Sequence, residues 1–320
     1  LRARCRAAPC PRVRCPAGQH PTVQRTADKI AVMTVRPALP ARVRTAADAD
    51  AIDRAAQRHL VACGDGTMLW RSWGEGGDPV VLFHGGSGSW NHWVRNIVPL
   101  LEAGRQVWVP DLPGFGDSAS PPSGGDADAL PEPMEAALRT LLGDTAVDLV
   151  GFSFGTMVAT FIAAQWPARA RRLVLSGAPA LGIDHADKLV LRPWLHLPRG
   201  AERDAAMREN LARLMLAQPE SNDDLALALH APNLERDRMR MRRLSRTDVM
   251  LRTLPSIICP VYGIWGEQDA LYRGEQHLIA GALAVAPRFR TLTLVPEAGH
   301  WVQYERADAF NQALAAALSD

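Results

Sequence analysis

The chain has 320 residues, 47% of them hydrophobic, and a net charge of +2. That is enough for one large or two modest domains with a sizeable core, and no apolar run approaches the roughly 20 residues of a bilayer-spanning helix. The charge is uneven: residues 1–47 hold nine Arg and one Lys against a single acid, Asp28, so the rest of the chain is net acidic and a poor match for nucleic acid.

Residues 1–47 are rich in Arg, Pro and Ala and show no periodicity. They read as a basic arm for an acidic partner, as an organelle transit peptide, or as a disordered extension; the composition favours the extension. No apolar stretch resembles a secretory signal. Cys5, Cys10, Cys15 and His20 recur every five residues, but zinc sites use closer Cys pairs within a foldable segment, so no metal is expected. Cys63 and Cys259 adjoin predicted strands and read as buried thiols. With no disulfide framework in view, the cytoplasm is the expected location.

Regular patterning begins near residue 56. Residues 59–63 and 67–73 flank Gly64-Asp65-Gly66 and predict a hairpin. A short, continuously apolar strand is predicted at 79–83, and further strands at 106–110, before Gly151, at 172–176, 261–265 and 289–295. A continuously apolar strand suits a sheet covered on both faces. Helices are predicted at 91–101, 134–142, after Ser153, at 276–286 and at 307–318. The rhythm breaks over 181–250, where Arg, Met, Leu and Ala recur at helical spacing, as in 203–216 and 234–244. The alternation predicts an α/β fold with a mostly parallel sheet and helices on both faces. Its core domain is assigned to 48–180 and 251–320, and a helical cap to 181–250.

The chemistry is carried by Gly151-Phe152-Ser153-Phe154-Gly155, which fits G-x-S-x-G at a strand-to-helix turn. A serine nucleophile needs a base, an orienting acid and oxyanion donors. His300, in a loop after the last predicted strand, is the candidate base. Asp269, four residues past the preceding strand, is the candidate acid, with Glu267 as its rival. The order Ser, Asp, His is that of α/β-hydrolases. The oxyanion donors are expected to be the N–H groups of Phe154, at a helix N-terminus, and of Gly86, in the run His84-Gly85-Gly86-Ser87-Gly88-Ser89. That run lacks G-K-[ST] and G-x-G-x-x-G, so it is no phosphate loop. His84 reads as a structural anchor.

These motifs, with Asp111-Leu112-Pro113-Gly114-Phe115-Gly116-Asp117-Ser118 and Gly299-His300, resemble the α/β-hydrolase fold superfamily over about residues 57–318. The run from Gly299 to Asn311 further resembles the meta-cleavage product hydrolases, which cut a carbon–carbon bond in ring-fission dienoates. That resemblance implies Trp301 as a substrate contact, with a cap arginine on the dienoate carboxylate left unassigned among Arg192, Arg199, Arg203 and Arg208. Where that branch commonly has asparagine before the serine, this chain has Phe152.

The expected activity is therefore serine hydrolysis of a carboxylic ester or related acyl bond in a small to medium apolar substrate. Ser87, Phe152, Trp194 and Trp301 are the expected substrate contacts. Carbon–carbon cleavage of 2-hydroxy-6-oxo-dienoates is the alternative; a slow-turnover ligand receptor on the same fold is another. No metal or organic cofactor is implied, and the expected partner is a small molecule, with neither nucleic acid nor membrane; the oligomeric state is left open, a homodimer included.

Overall fold

The structure is a computed structural model that describes residues 39–183 and 189–320. It opens with α1 (Ala46–Ala55), capped by the Thr45 side chain, and the hairpin β1 (Gln57–Cys63) and β2 (Gly66–Trp73). Then come β3 (Pro79–Phe83), α2 (Ile97–Glu102), β4 (Gln106–Pro110), α3 (Pro131–Leu142), β5 (Val147–Phe152), α4 (Phe154–Gln165) and β6 (Ala170–Ser176). Between β6 and the next strand lie α5 (Ala201–Asn210), α6 (Asp224–Glu235) and α7 (Val249–Thr253). The chain closes with β7 (Val261–Gly266), α8 (Gln276–Leu283), β8 (Phe289–Val295), α9 (Val302–Glu305) and α10 (Ala307–Ser319).

The strands form one eight-stranded sheet in the order β1-β2-β4-β3-β5-β6-β7-β8. β2 runs antiparallel to β1 and β4, and every other pairing is parallel. Two hydrophobic cores lie on its two faces. Along β3, Val81 and Phe83 join the core that holds Trp70, Leu149 and Met157, while Val80 and Leu82 join the core of Trp93, Val150 and Phe310. Alternate residues of a strand point to opposite faces, which is why a strand buried on both sides reads as an unbroken apolar run. α4 is buried along residues 154–163, so its sequence carries no polar face.

Three sequence expectations need correction. Residues 39–47 of the arm assigned to 1–47 are not a disordered extension: Val43 is buried, its carbonyl accepts from Arg95 Nε at 3.2 Å, and Arg42 pairs with Asp308. One apolar residue in an Arg-rich run finds a seat on the core, which average composition hides. Residues 1–38, with Cys5, Cys10, Cys15 and His20, lie outside the described residues. The helix expected over 91–101 is split into a 3-10 turn, Trp90–Trp93, and α2. Pro99 has no N–H to donate inside a continuous helix and is tolerated in the first turn of α2. The helix expected over 234–244 ends at Glu235, and residues 237–243 form neither helix nor strand. Asp237 and Met239 are buried while Arg238 and Arg240 are exposed, an alternation of period two in the run Arg236-Asp237-Arg238-Met239-Arg240-Met241.

Among the described residues no helix is long and apolar enough to cross a membrane, and no group of three or more His, Cys, Asp or Glu could hold a metal ion. Cys63 and Cys259 are buried free thiols; burial pushes Cys259 up to about 11.

Candidate active site

Ser153 sits between β5 and α4 at φ 49°, ψ −118°, outside the regions that L-residues favour. The turn is held by Ser153 N–H donating to Ser176 O at 2.8 Å, and by the Thr156 hydroxyl donating to Ser153 O at 2.5 Å. Its tightness explains a flanking glycine: a Cβ at Gly155 would stand 2.4 Å from Phe83 O, so β3 and α4 could not meet there with any side chain.

His300 lies in the loop after β8 and is buried. Its Nε2 is 2.9 Å from Ser153 Oγ and its Nδ1 is 2.9 Å from Asp269 Oδ2. With Nδ1–H donating to the carboxylate, Nε2 is left as the acceptor facing the serine hydroxyl. Asp269 is fully buried beyond the end of β7, and its other oxygen accepts from Leu271 N–H at 2.9 Å. Glu267 points to solvent and makes no contact with His300. The loops after β7 and β8 press together: a Cβ at Gly266 would lie 2.0 Å from Gly299 O.

Gly86 and Phe154 both border the cavity above Ser153, Phe154 as the first residue of α4, where the N–H has no partner within the helix. The cavity measures about 1080 Å³ and is covered by the segment between β6 and β7. Ser87, Phe152 and Trp194 line it, and the Phe152 ring lies 5.0 Å from that of His300. Trp301 does not. It is fully buried, stacked on Tyr304 at 4.3 Å, and its indole N–H donates to His92 O at 3.1 Å. Trp301 turns inward, away from the pocket, and its backbone N–H donates to Met215 O at 2.8 Å.

The cavity wall is more basic than the sequence reading anticipated. Of the cap arginines considered, Arg192 reaches the cavity but pairs with Glu209; Arg199 and Arg203 pair with Glu235, and Arg208 with Asp224. Arg240, Arg242 and Arg246 also line it, from the segment after α6 and the turn that follows. Arg242 lies over the loop of Gly85 to Gly88, with its guanidinium carbon 3.0 Å from where a Gly86 Cβ would be. Asp237, buried, accepts from Arg242 at 2.7 Å and from the Ser87 hydroxyl at 2.6 Å. His230, also in the wall, is held by burial down at about 4. Glu305 is a further residue that sequence reasoning missed: its buried carboxylate accepts the N–H groups of Gly299, Ala217 and Gln218, tying the His300 loop to the segment above it. An acid five residues after the base was its only visible sign.

The family model for the alpha/beta hydrolase fold matches residues 78–201. Over 296 residues the chain is 27% identical to a 2-hydroxy-6-oxononadienedioate/2-hydroxy-6-oxononatrienedioate hydrolase of Klebsiella pneumoniae, covering 88% of this chain and 97% of that one. It is 32% identical over 262 residues to the dihydrolipoyllysine-residue acetyltransferase component of the acetoin cleaving system of Pseudomonas putida; the match covers 77% of this chain but only 64% of that protein's length. In fold it is similar to a thermophilic esterase from Thermogutta terrifontis (TM-score 0.60, 23% identity, 82% of this chain and 98% of the other). It is similar also to the meta-cleavage product hydrolase of Pseudomonas fluorescens (TM-score 0.65, 21% identity, 82% and 97%). The chain has the α/β-hydrolase fold. It is an α/β-fold hydrolase.

Proposed function

We propose that the protein hydrolyses a carboxylic ester or related acyl bond through an acyl-enzyme on Ser153. His300 takes the serine proton as Oγ attacks the carbonyl and returns it to the leaving group. Asp269 holds the imidazole in the required tautomer and stabilises the imidazolium. The N–H groups of Gly86 and Phe154 stabilise the oxyanion, each worth about 2.7–4 kcal/mol by analogy with other acyl-transfer sites. Water then attacks the acyl-enzyme, with His300 again as base. The reading rests on one observation above all, the unbroken relay of 2.9 Å from Ser153 Oγ to His300 and of 2.9 Å from His300 to Asp269. The substrate is a small molecule that enters the cavity under the cap, taken as residues 181–250.

A second reading is carbon–carbon cleavage of a dienoate. Arg240, Arg242 and Arg246 in the cavity wall favour it, since a basic wall suits an anionic substrate, and the Klebsiella relative is named for a dienedioate. The experiment that separates the two follows p-nitrophenyl butyrate and a 2-hydroxy-6-oxo-dienoate in parallel with purified protein. Fast ester turnover with an inert dienoate supports the first reading. Fast dienoate loss supports the second. Tight binding of either without turnover points to a receptor.

A further inference from the structure

Gly85 is gripped on both sides by imidazoles. Its N–H donates to His92 Nδ1 at 3.2 Å, and its carbonyl accepts from His84 Nδ1 at 2.8 Å. His84 Nε2 accepts the Leu112 N–H at 2.9 Å, so its proton is on Nδ1. His92 must be the opposite tautomer, bare at Nδ1 and protonated at Nε2, to accept from Gly85. Both rings are buried. Burial holds both imidazoles below the usual histidine range, His92 well below it, with His84, His230 and His300 adding to the effect on His92. Both are therefore neutral, as the two hydrogen bonds require.

The His92 ring is locked in place. The loop wraps its edge, since a Cβ at Gly88 would stand 2.3 Å from Cε1. Trp301 and Phe152 pack against it at 5.0 and 5.5 Å. Gly85 in turn lies against the nucleophile: a Cβ there would come within 3.2 Å of Ser153 Cβ.

A trans peptide points its C=O and its N–H in opposite directions. Fixing the Gly85 carbonyl on His84 therefore fixes the Gly86 N–H on the other side of the same plane. We propose that His92 and His84 clamp the Gly85 peptides so that the Gly86 N–H is pre-aimed at the developing oxyanion, which makes both of them positioning residues for the reaction. The proposal rests on the reading of Ser153 as nucleophile. It also gives Trp301 a task, as the backing of His92, in place of the substrate contact expected of it.

The test has two independent readouts on the full chain. Two-bond proton–nitrogen spectra of the imidazoles, with His92→Asn for assignment, should show His92 bare at Nδ1 and His84 protonated there at pH 7.5. His92 protonated at Nδ1 overturns the clamp whether or not the protein is active. The kinetic readout compares His92→Leu, which loses the acceptor, with His92→Asn, whose amide oxygen can replace Nδ1. On p-nitrophenyl butyrate, kcat should fall at least about tenfold in the leucine variant with KM within about twofold, since an oxyanion donor acts on the transition state. The inhibition constant of a matched trifluoromethyl ketone should rise in proportion, and the asparagine variant should recover most of both. Unchanged kcat and inhibition in His92→Leu overturn the proposal. If that variant does not fold, the tautomers and the asparagine variant decide. Wild-type protein with neither ester turnover nor a fluorophosphonate adduct defeats the reading of Ser153 instead, and the tautomer spectra still judge the clamp.

Discussion

Gly177, just past the end of β6, lies directly against the His300 ring. A Cβ at that position would stand 2.8 Å from Cε1 and 3.0 Å from Nδ1, the atom that faces Asp269. The strand beside β5 thus supplies the floor on which the His300 ring rests. Gly177→Ala should displace the imidazole and lower kcat by at least about tenfold, because small misplacements of a catalytic group are expensive. Its φ of +58° adds a strain of about 1–2 kcal/mol. Kinetics on p-nitrophenyl butyrate beside a melting curve would check this; full activity with a lowered melting temperature contradicts it.

Acid should destabilise the fold through its buried histidines. Burial holds His230 at about 4 in the folded protein, against 6.5 for an open histidine. Above about pH 6.5 both states leave it neutral and nothing is lost. As pH falls from 6.5 towards 4, only the unfolded chain takes up the proton, and stability drops by about 3 kcal/mol at full titration. His84 and His92, also pulled down by burial, act in the same direction. Urea unfolding of wild type and His230→Leu at pH 7.5 and 5 measures the effect: the variant should show the smaller difference between the two pH values, and an equal difference removes His230 from the explanation.

Glu305→Gln should loosen the His300 loop. The carboxylate accepts from Gly299, Ala217 and Gln218 N–H, using both oxygens, whereas the amide offers one oxygen and brings two donors to a site made of donors. A loss of about 2–3 kcal/mol is expected, as for a buried hydrogen-bonded group left unmatched. Chemical denaturation reads it; an unchanged midpoint contradicts it.

Arg242→Gln separates substrate classes. Arg242 is oriented by Asp237 and Ser87 over Gly86. If its charge meets the substrate, the change should lower kcat/KM for a p-nitrophenyl ester with a terminal carboxylate by about 5- to 50-fold more than for the uncharged ester of equal length, the worth of about 1–2 kcal/mol of charge-assisted bonding. Equal losses on both esters contradict a role in charge selection.

Much of this was legible in the sequence for a physical reason. Strands buried on both faces, such as Val80-Val81-Leu82-Phe83, leave an unbroken apolar run, and the nucleophile turn needs glycine where β3 and α4 meet. Ser153, Asp269 and His300 each sit where a parallel strand ends, so strand positions and chain order located them. What was not legible depends on contacts distant in sequence. The Arg236–Met241 run alternates with period two, yet its arginines and methionines also fit a helical count, and only packing on the loop after β4 decides. Trp301 looks like a pocket residue, yet its ring packs inward against His92 and Tyr304, which are distant or hidden in the sequence pattern. His92 meets Gly85 only because the chain folds back through a 3-10 turn.

The measurement closest to the central claim is intact-protein and peptide mass spectrometry after reaction with a fluorophosphonate, on wild type and on Ser153→Ala. A single adduct mapped to Ser153, absent from a folded Ser153→Ala protein that has also lost ester turnover, is the expected result. An adduct elsewhere, or turnover that survives in Ser153→Ala, contradicts a mechanism in which Ser153 attacks with His300 as its base.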